Sequence, residues 1–326
     1  MRIITLVACF FILFSCLAFA QNNKEVDRVL DRIEQIDPAN SSDEENTQVV
    51  GEQYSDDLEK ISQDMEQAHQ ANNAEVRPVK EPEVKYSFEM GPEFSFFKYE
   101  EPTIDVKEEA FLSGVQAAIT GRSKSNALMG RVEGRFVAGR VDYDGSLNDG
   151  TPWTDKGDDF AFEFRGLVGR DFKMGESRIT PIFGLGYRYL NDNLESQYAY
   201  EREIRYTYSP IGFEVLSPIM GGWSLGVHAE YDIFWQGIVK THLSDVDPSY
   251  SNVRNKQDSG FGARASVFLN KNIGEKLSLS IEPFIRYWNI DRSDAAQLTY
   301  AGYIIGYGYE PTNRTEEYGL KMLLAW

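Results

Sequence analysis

Three observations predict an all-β fold, an antiparallel transmembrane β-barrel of about ten strands. From Val84 onward, segment after segment alternates apolar and polar residues with a period of two, the spacing at which strand side chains share a face. The last segment, Tyr318 to Trp326, puts Tyr318, Leu320, Met322, Leu324 and Trp326 on one face and stops on an aromatic residue. No long apolar run follows residue 20, although the chain holds 20 Phe, 18 Tyr and 27 Gly. A barrel has this profile, because its lipid-facing residues are diluted one in two and never form the continuous run of a helical span.

The expected strands follow in order. The first covers about 84–99, with Tyr86, Phe88, Met90, Phe94 and Phe96 outward and Glu89, Glu93 and Ser95 inward. The second (about 110–122) turns Val115, Ala117 and Ile119 out and Gln116, Thr120 and Arg122 in. The third (about 127–143) turns Leu128, Val132, Phe136 and Ala138 out and Arg131, Glu133 and Arg135 in. The fourth (about 159–173) and fifth (about 178–190) carry Phe160, Phe162, Phe164, Phe183, Tyr187 and Tyr189 outward. Gly184 and Gly186 on the fifth read as tight packing inside the barrel.

The sixth (about 202–216) slips phase near Ser209-Pro210-Ile211, which suggests a bulge, with Ile204, Tyr206, Tyr208, Phe213 and Val215 sharing its apolar face. The seventh (about 223–240) alternates Trp223 through Trp235 outward, with His228, Glu230, Asp232 and Gln236 inward. The eighth, ninth and tenth are about 258–270, about 276–290 and the terminal strand. Short turns join the second to the third, the fourth to the fifth, the sixth to the seventh and the eighth to the ninth. Longer polar or Tyr-rich loops join the rest. That alternation places both chain ends on the short-turn, periplasmic side.

The inward face mixes Arg131, Glu133, Arg135, Glu163, Arg165, Arg188, Glu230, Arg264, Glu282 and Arg286. Ten strands enclose a lumen only slightly wider than the eight-stranded barrels that side chains fill. These charges are therefore expected to pair and to plug the lumen. Lys321 of the terminal strand is expected to meet Glu89 or Glu282, and the strand itself to pair with the first. A secreted β-sandwich is the soluble alternative, its apolar face then being core.

Residues 1–20 read as a secretory signal peptide: Arg2, an apolar run, then Ala18-Phe19-Ala20 before Gln21. Both cysteines, Cys9 and Cys16, fall within it, so the mature chain offers no disulfide, thiol nucleophile or Cys-based metal site. Residues 21–83 read as an acidic periplasmic extension, helical or disordered, with 17 acidic and 6 basic side chains. It carries two short helical stripes, Val26-Val29-Ile33-Ile36 and Tyr54-Leu58-Ile61-Met65, and is a candidate site for a periplasmic partner. Residues 84–326 are the barrel. The net charge of −18 excludes the basic surface that nucleic-acid binding needs. The partners expected are outer-membrane lipid, lipopolysaccharide and, through the C-terminal strand, the barrel-assembly machinery.

Candidate chemistry is sparse. The chain has three histidines, His69, His228 and His242, and no zinc, nucleophile-elbow or phosphate-loop motif. His228, mid-strand beside Glu230 and Asp232, reads as a satisfied lumen histidine. The acidic run from Asp142 to Asp159 lacks calcium-loop spacing and reads as a solvated extracellular loop. No metal or cofactor is expected.

Arg140-Val141-Asp142-Tyr143-Asp144, at the loop end of the third strand and followed by Pro152-Trp153-Thr154-Asp155, resembles the second loop of omptins, ten-stranded outer-membrane proteases. The resemblance implies that Asp142 and Asp144 position a water molecule. It also implies a partner Asp-x-His dyad at the end of the seventh strand. Here that region holds Asp245-Val246-Asp247, with His242 three residues before Asp245. The candidate catalytic set implied is therefore Asp142, Asp144, Asp245 and His242, with the histidine out of its expected place. The reading that follows is an outer-membrane barrel of the Gram-negative envelope with a plugged lumen and a non-enzymatic structural or interaction role. An omptin-like protease and a small-solute channel are its alternatives.

Overall fold

The computed structural model describes residues 84–146, 151–196 and 199–326. The expected signal peptide (1–20) and acidic extension (21–83) lie outside the described residues. Fourteen strands are present: β1 (Val84–Glu101), β2 (Val106–Ser123), β3 (Leu128–Ser146), β4 (Pro152–Arg170), β5 (Phe172–Met174), β6 (Ser177–Asp192), β7 (Arg202–Pro218), β8 (Trp223–Thr241), β9 (Val253–Gln257), β10 (Gly260–Asn272), β11 (Ser278–Ile290), β12 (Ala296–Tyr300), β13 (Tyr303–Gly308) and β14 (Asn313–Ala325). Ten of them close an antiparallel barrel in the order β1-β2-β3-β4-β6-β7-β8-β10-β11-β14, and β14 returns to β1. All ten expected strands are there. β5 prolongs the ladder at the turn before β6, β9 extends β8 beyond the barrel, and β12–β13 form a hairpin of their own.

The terminal strand completes the cylinder. β14 pairs with β11 on one side and β1 on the other, setting Glu93 opposite Lys321 and Phe96 opposite Tyr318. Trp326 exchanges both backbone hydrogen bonds with Phe88, at 2.8 and 2.9 Å, and their rings meet edge-on at 4.7 Å. Closure leaves no unpaired ladder edge, which a strand in lipid could not tolerate.

Outward alternation builds the belt that meets lipid. On β1 it runs from Tyr86 to Phe96, beyond which Lys98 and Glu100 pair with each other on the same face. Ten steps of about 3.4 Å, tilted about 40°, give an apolar height of about 25 Å, the thickness such a band requires. Toward the loop end, outward rings touch in series: Phe94 and Phe96 meet Phe111, Phe96 meets Tyr318, and Phe160 and Phe162 meet Tyr189. This is an interfacial aromatic girdle.

Three expectations are corrected. The phase slip lies on β8, not β7. The register shifts as Thr207 pairs with Gln236 and Tyr208 with Phe234, leaving Trp235 as the extra residue. Gln236 therefore pairs with the outward Thr207. Glu203, Arg205, Thr207, Ile211 and Phe213 keep one outward phase along β7, so Ile204, Tyr206 and Tyr208 turn into the lumen, where all three are buried. Second, the connection between β1 and β2 is not long. Both strands rise past the belt and residues 102–105 suffice to join them. Third, the acidic run is not a solvated loop throughout. Its last member, Asp159, sits on β4 and is buried.

Candidate functional site

The lumen is layered, and each layer follows from the inward phase of the strands. Nearest the chain ends, Arg131 pairs with Glu89 at 3.0 Å and Glu133 at 2.7 Å, Arg122 with Asp171 at 2.5 Å, and Lys321 with Glu282 at 2.7 Å. These groups surround a cavity of about 370 Å³ that runs from Lys85 and Ala325 up to Arg135 and Arg286.

Above it a buried ion-pair network crosses the barrel. Arg286 bonds Glu93 at 2.8 Å and Glu317 at 3.0 Å, while Arg135 bonds Glu317 at 2.5 Å and forms an ion pair with Glu93 at 3.1 Å. On the opposite wall Arg165 bonds Glu230 at 2.6 Å, while Arg264 bonds Glu163 at 3.0 Å and Asp232 at 2.8 Å. His228 Nε2 donates to Glu230 at 2.9 Å, the satisfied lumen histidine the sequence implied. Charges buried this deeply persist only when paired and hydrogen-bonded.

Next comes an aromatic and aliphatic layer of Tyr206, Tyr208, Phe234, Trp288, Leu112 and Ile204. The Arg188 guanidinium lies between the rings of Tyr206 and Trp288, 5.5 and 5.9 Å from their centroids. Glycine makes room for this layer. A Cβ on Gly186 would stand 2.2 Å from Tyr208 Cζ, and one on Gly262 would stand 2.8 Å from the Trp288 ring. The glycine of the fifth expected strand is thus the gap that Tyr208 fills.

The last layer lies at the loop end, level with the outward charges Lys98, Lys107 and Glu109. It holds five acids, Glu101, Glu108, Asp159, Asp192 and Glu310, around one cation, Arg202. Arg202 bonds Glu101 at 2.7 Å, Glu310, the Tyr99 hydroxyl at 3.0 Å and Asp192 at 3.4 Å. Glu310 lies in the segment before β14. Burial pushes its carboxyl up to about 7, with Glu101 and Asp192 adding to the rise and Arg202 opposing it.

The candidate catalytic residues lie elsewhere. Asp142 and Asp144 occupy the outward phase of β3 and are exposed. Asp142 pairs with Lys156 at 2.6 Å, and the shallow groove around the pair is lined by Lys107, Glu109, Tyr143, Thr154, Asp155 and Glu195. His242 bonds the outward Glu203 at 2.8 Å and gathers with Glu201 and Asp245, their ligand atoms within 4.8 Å of one another. The structure therefore brings His242 and Asp245 together but not the two aspartates of β3. Four ladder steps separate β3 from β8, about 19 Å along the outside of the wall.

The residues missed at the loop end had a signal. Glu108 shares the inward phase of Gln116 and Thr120, Asp159 that of Glu163 and Arg165, and Asp192 that of Arg188. Asp159 already opens the fourth expected strand, and extending the second and fifth by one residue pair each puts Glu108 and Asp192 on the same inward face.

No protein-family model matches the chain, and no curated protein sequence matches it. Among solved structures, the chain is similar to the outer membrane protease OmpT from Escherichia coli, at 10% identity and a TM-score of 0.51, over 76% of this chain and 97% of that one. It also aligns with the translocator domain of the autotransporter NalP from Neisseria meningitidis at 9% identity and a TM-score of 0.39, covering 82% and 97% of the two chains. Neisserial surface protein A aligns at 8% identity and a TM-score of 0.30, covering 74% and 97%. The first likeness concerns the fold alone. Joined to the closed ladder and the apolar belt, it makes this chain an outer-membrane-type β-barrel that resembles the ten-stranded omptin architecture.

Proposed function

We propose that the chain is a non-enzymatic outer-membrane protein of the Gram-negative envelope, exported by residues 1–20, with residues 21–83 in the periplasm and the loop end facing outside. In this reading the barrel is a scaffold and the loop end is its working surface. The observation that carries it is the filled lumen: buried Arg–carboxylate pairs and the Tyr206–Tyr208–Trp288 layer occupy the cross-section below the loop end. A scaffold needs such a filling, while a solute pathway does not. The surface it would present is the β12–β13 hairpin. Tyr303, Ile304, Ile305 and Tyr307 are exposed there, Tyr303 at 78%. The turn end of the hairpin is fixed to the loop before β9 by the Tyr250–Tyr300 ring contact at 4.9 Å and by Tyr300 donating to Asp247 at 3.1 Å. Rigid aromatic side chains supply contact area at low entropic cost.

Planar-bilayer recording with refolded protein tests the scaffold reading. A silent membrane is expected, and large, stable conductance steps would overturn it. Cells displaying the wild type and a Tyr303→Ser, Ile305→Ser, Tyr307→Ser variant test the surface. Sedimentation of the culture or adherence to protein-coated plastic is expected to drop in the variant, and equal behaviour removes the hairpin from the reading. Peptide cleavage by protein refolded in lipopolysaccharide tests the omptin-like alternative, and none is expected.

A further inference from the structure

We propose that Glu108, Asp159 and Asp192 form a binding site for a divalent cation, with Ca²⁺ the best match. The three carboxylates come from β2, β4 and β6, and their ligand atoms lie within 4.8 Å of one another. All three side chains are 1–2% exposed. Four of their oxygens, Glu108 Oε1, both of Asp159 and Asp192 Oδ1, have no hydrogen-bond partner. Buried oxygens are nearly always satisfied, so four orphans within one cluster of three carboxylates mark a missing partner.

The described residues do not supply that partner. Arg202 spends its guanidinium on Glu101 and Glu310, and reaches only the other oxygen of Asp192, at 3.4 Å. The Asn193 N–H faces Asp159 without attaining hydrogen-bond geometry. An all-oxygen, all-carboxylate set suits a hard cation, and neither His nor Cys is in the cluster to favour zinc. Ligand number then selects among hard cations. Ca²⁺ takes several carboxylates from the protein, mono- or bidentate, whereas Mg²⁺ keeps most of its waters and is usually held by one or two carboxylates. Three carboxylates from three strands fit the larger ion, with water completing the shell. The bound cation would tie three strands together at the loop end, below the segment that follows Asp192. The site is independent of the scaffold reading, since a pore or a protease could carry it equally well.

The full chain is refolded in a zwitterionic detergent free of lipopolysaccharide and stripped with EDTA. Tb³⁺ luminescence is excited through Tyr143, which faces Glu108 across the β2–β3 ladder. A saturable signal that Ca²⁺ displaces is expected, together with a higher Tm in Ca²⁺ than in EDTA. Asp159→Asn and Glu108→Gln should each raise the half-saturating concentration at least about tenfold, because affinity in such sites follows ligand charge. Asp142→Ala, an exposed acid outside the cluster, should leave it unchanged. The mobility of unboiled protein on SDS gels shows that each variant has folded. Wild-type protein with no saturable signal and no Tm response up to millimolar Ca²⁺ overturns the site, as do two folded variants that both keep wild-type half-saturation.

Discussion

Two levels of the same lumen solve the problem of buried charge in opposite ways. At mid-barrel, Glu93, Glu163, Glu230, Asp232 and Glu317 face Arg135, Arg165, Arg188, Arg264 and Arg286, a balanced set in which four of the five carboxylates form ion pairs with two guanidinium groups. At the loop end, among the described residues, five acids face Arg202 alone. The strand alternation that supplies inward polar residues is the same at both levels. What differs is the partner: the middle is satisfied by the protein, whereas the loop end needs something from outside the chain, a cation or protons. Removing one charge should therefore act with opposite sign at the two levels.

The largest effect is expected at mid-barrel. Arg264→Met strands Glu163, Glu230 and Asp232 without a shared cation and should destabilise the barrel by about 3–5 kcal/mol, read from urea unfolding in detergent or vesicles. At the loop end, Asp159→Asn removes a like charge and should stabilise the chain in EDTA by about 1–3 kcal/mol in the same assay. A loss of stability there would erase the contrast between the levels. Glu310 sharpens it by pH. Its folded value of about 7 lies above its ordinary 4.5, so the folded form holds the extra proton between them. The stability this group lends is full below about 4.5 and is lost as pH rises through 7. In EDTA, Tm should accordingly fall from pH 5 to pH 8, and Glu310→Gln should flatten the slope. The smallest effect belongs to the outside of the wall. The Asp142–Lys156 pair is mostly exposed, and Asp142→Ala should change stability by less than about 1 kcal/mol.

Ten strands and most of their faces were legible in the sequence because a barrel in lipid enforces strict alternation: one polar residue in the outward phase stands out against the belt. The Lys321–Glu282 pair was legible for the same reason, Lys321 being the single charge between Tyr318 and Trp326. The β7 face was misread because Ile204, Tyr206 and Tyr208 are apolar residues placed inside. Alternation reports apolar against polar, and an aromatic lumen layer reverses that code. The omptin-like pair shows the converse. Asp142 and Asp144 share the phase of Phe136 and Ala138, so alternation already turned them outward, while a motif read by residue type and spacing alone carries no information about the face.

The β12–β13 hairpin escaped because its β-period lies beyond the belt, where both faces meet water and alternation no longer distinguishes them. The acidic cluster escaped because Glu108, Asp159 and Asp192 come from three strands, and their convergence depends on register and barrel curvature. By itself the sequence determined the barrel, its strand count, its closing strand and the inward stock of charge, since each follows from local period and phase. Only the tertiary structure decided which charges meet. Pairing inside the lumen joins residues of strands that are not neighbours, as Arg135 of β3 and Glu317 of β14, 182 positions apart, are, and no local pattern carries that information.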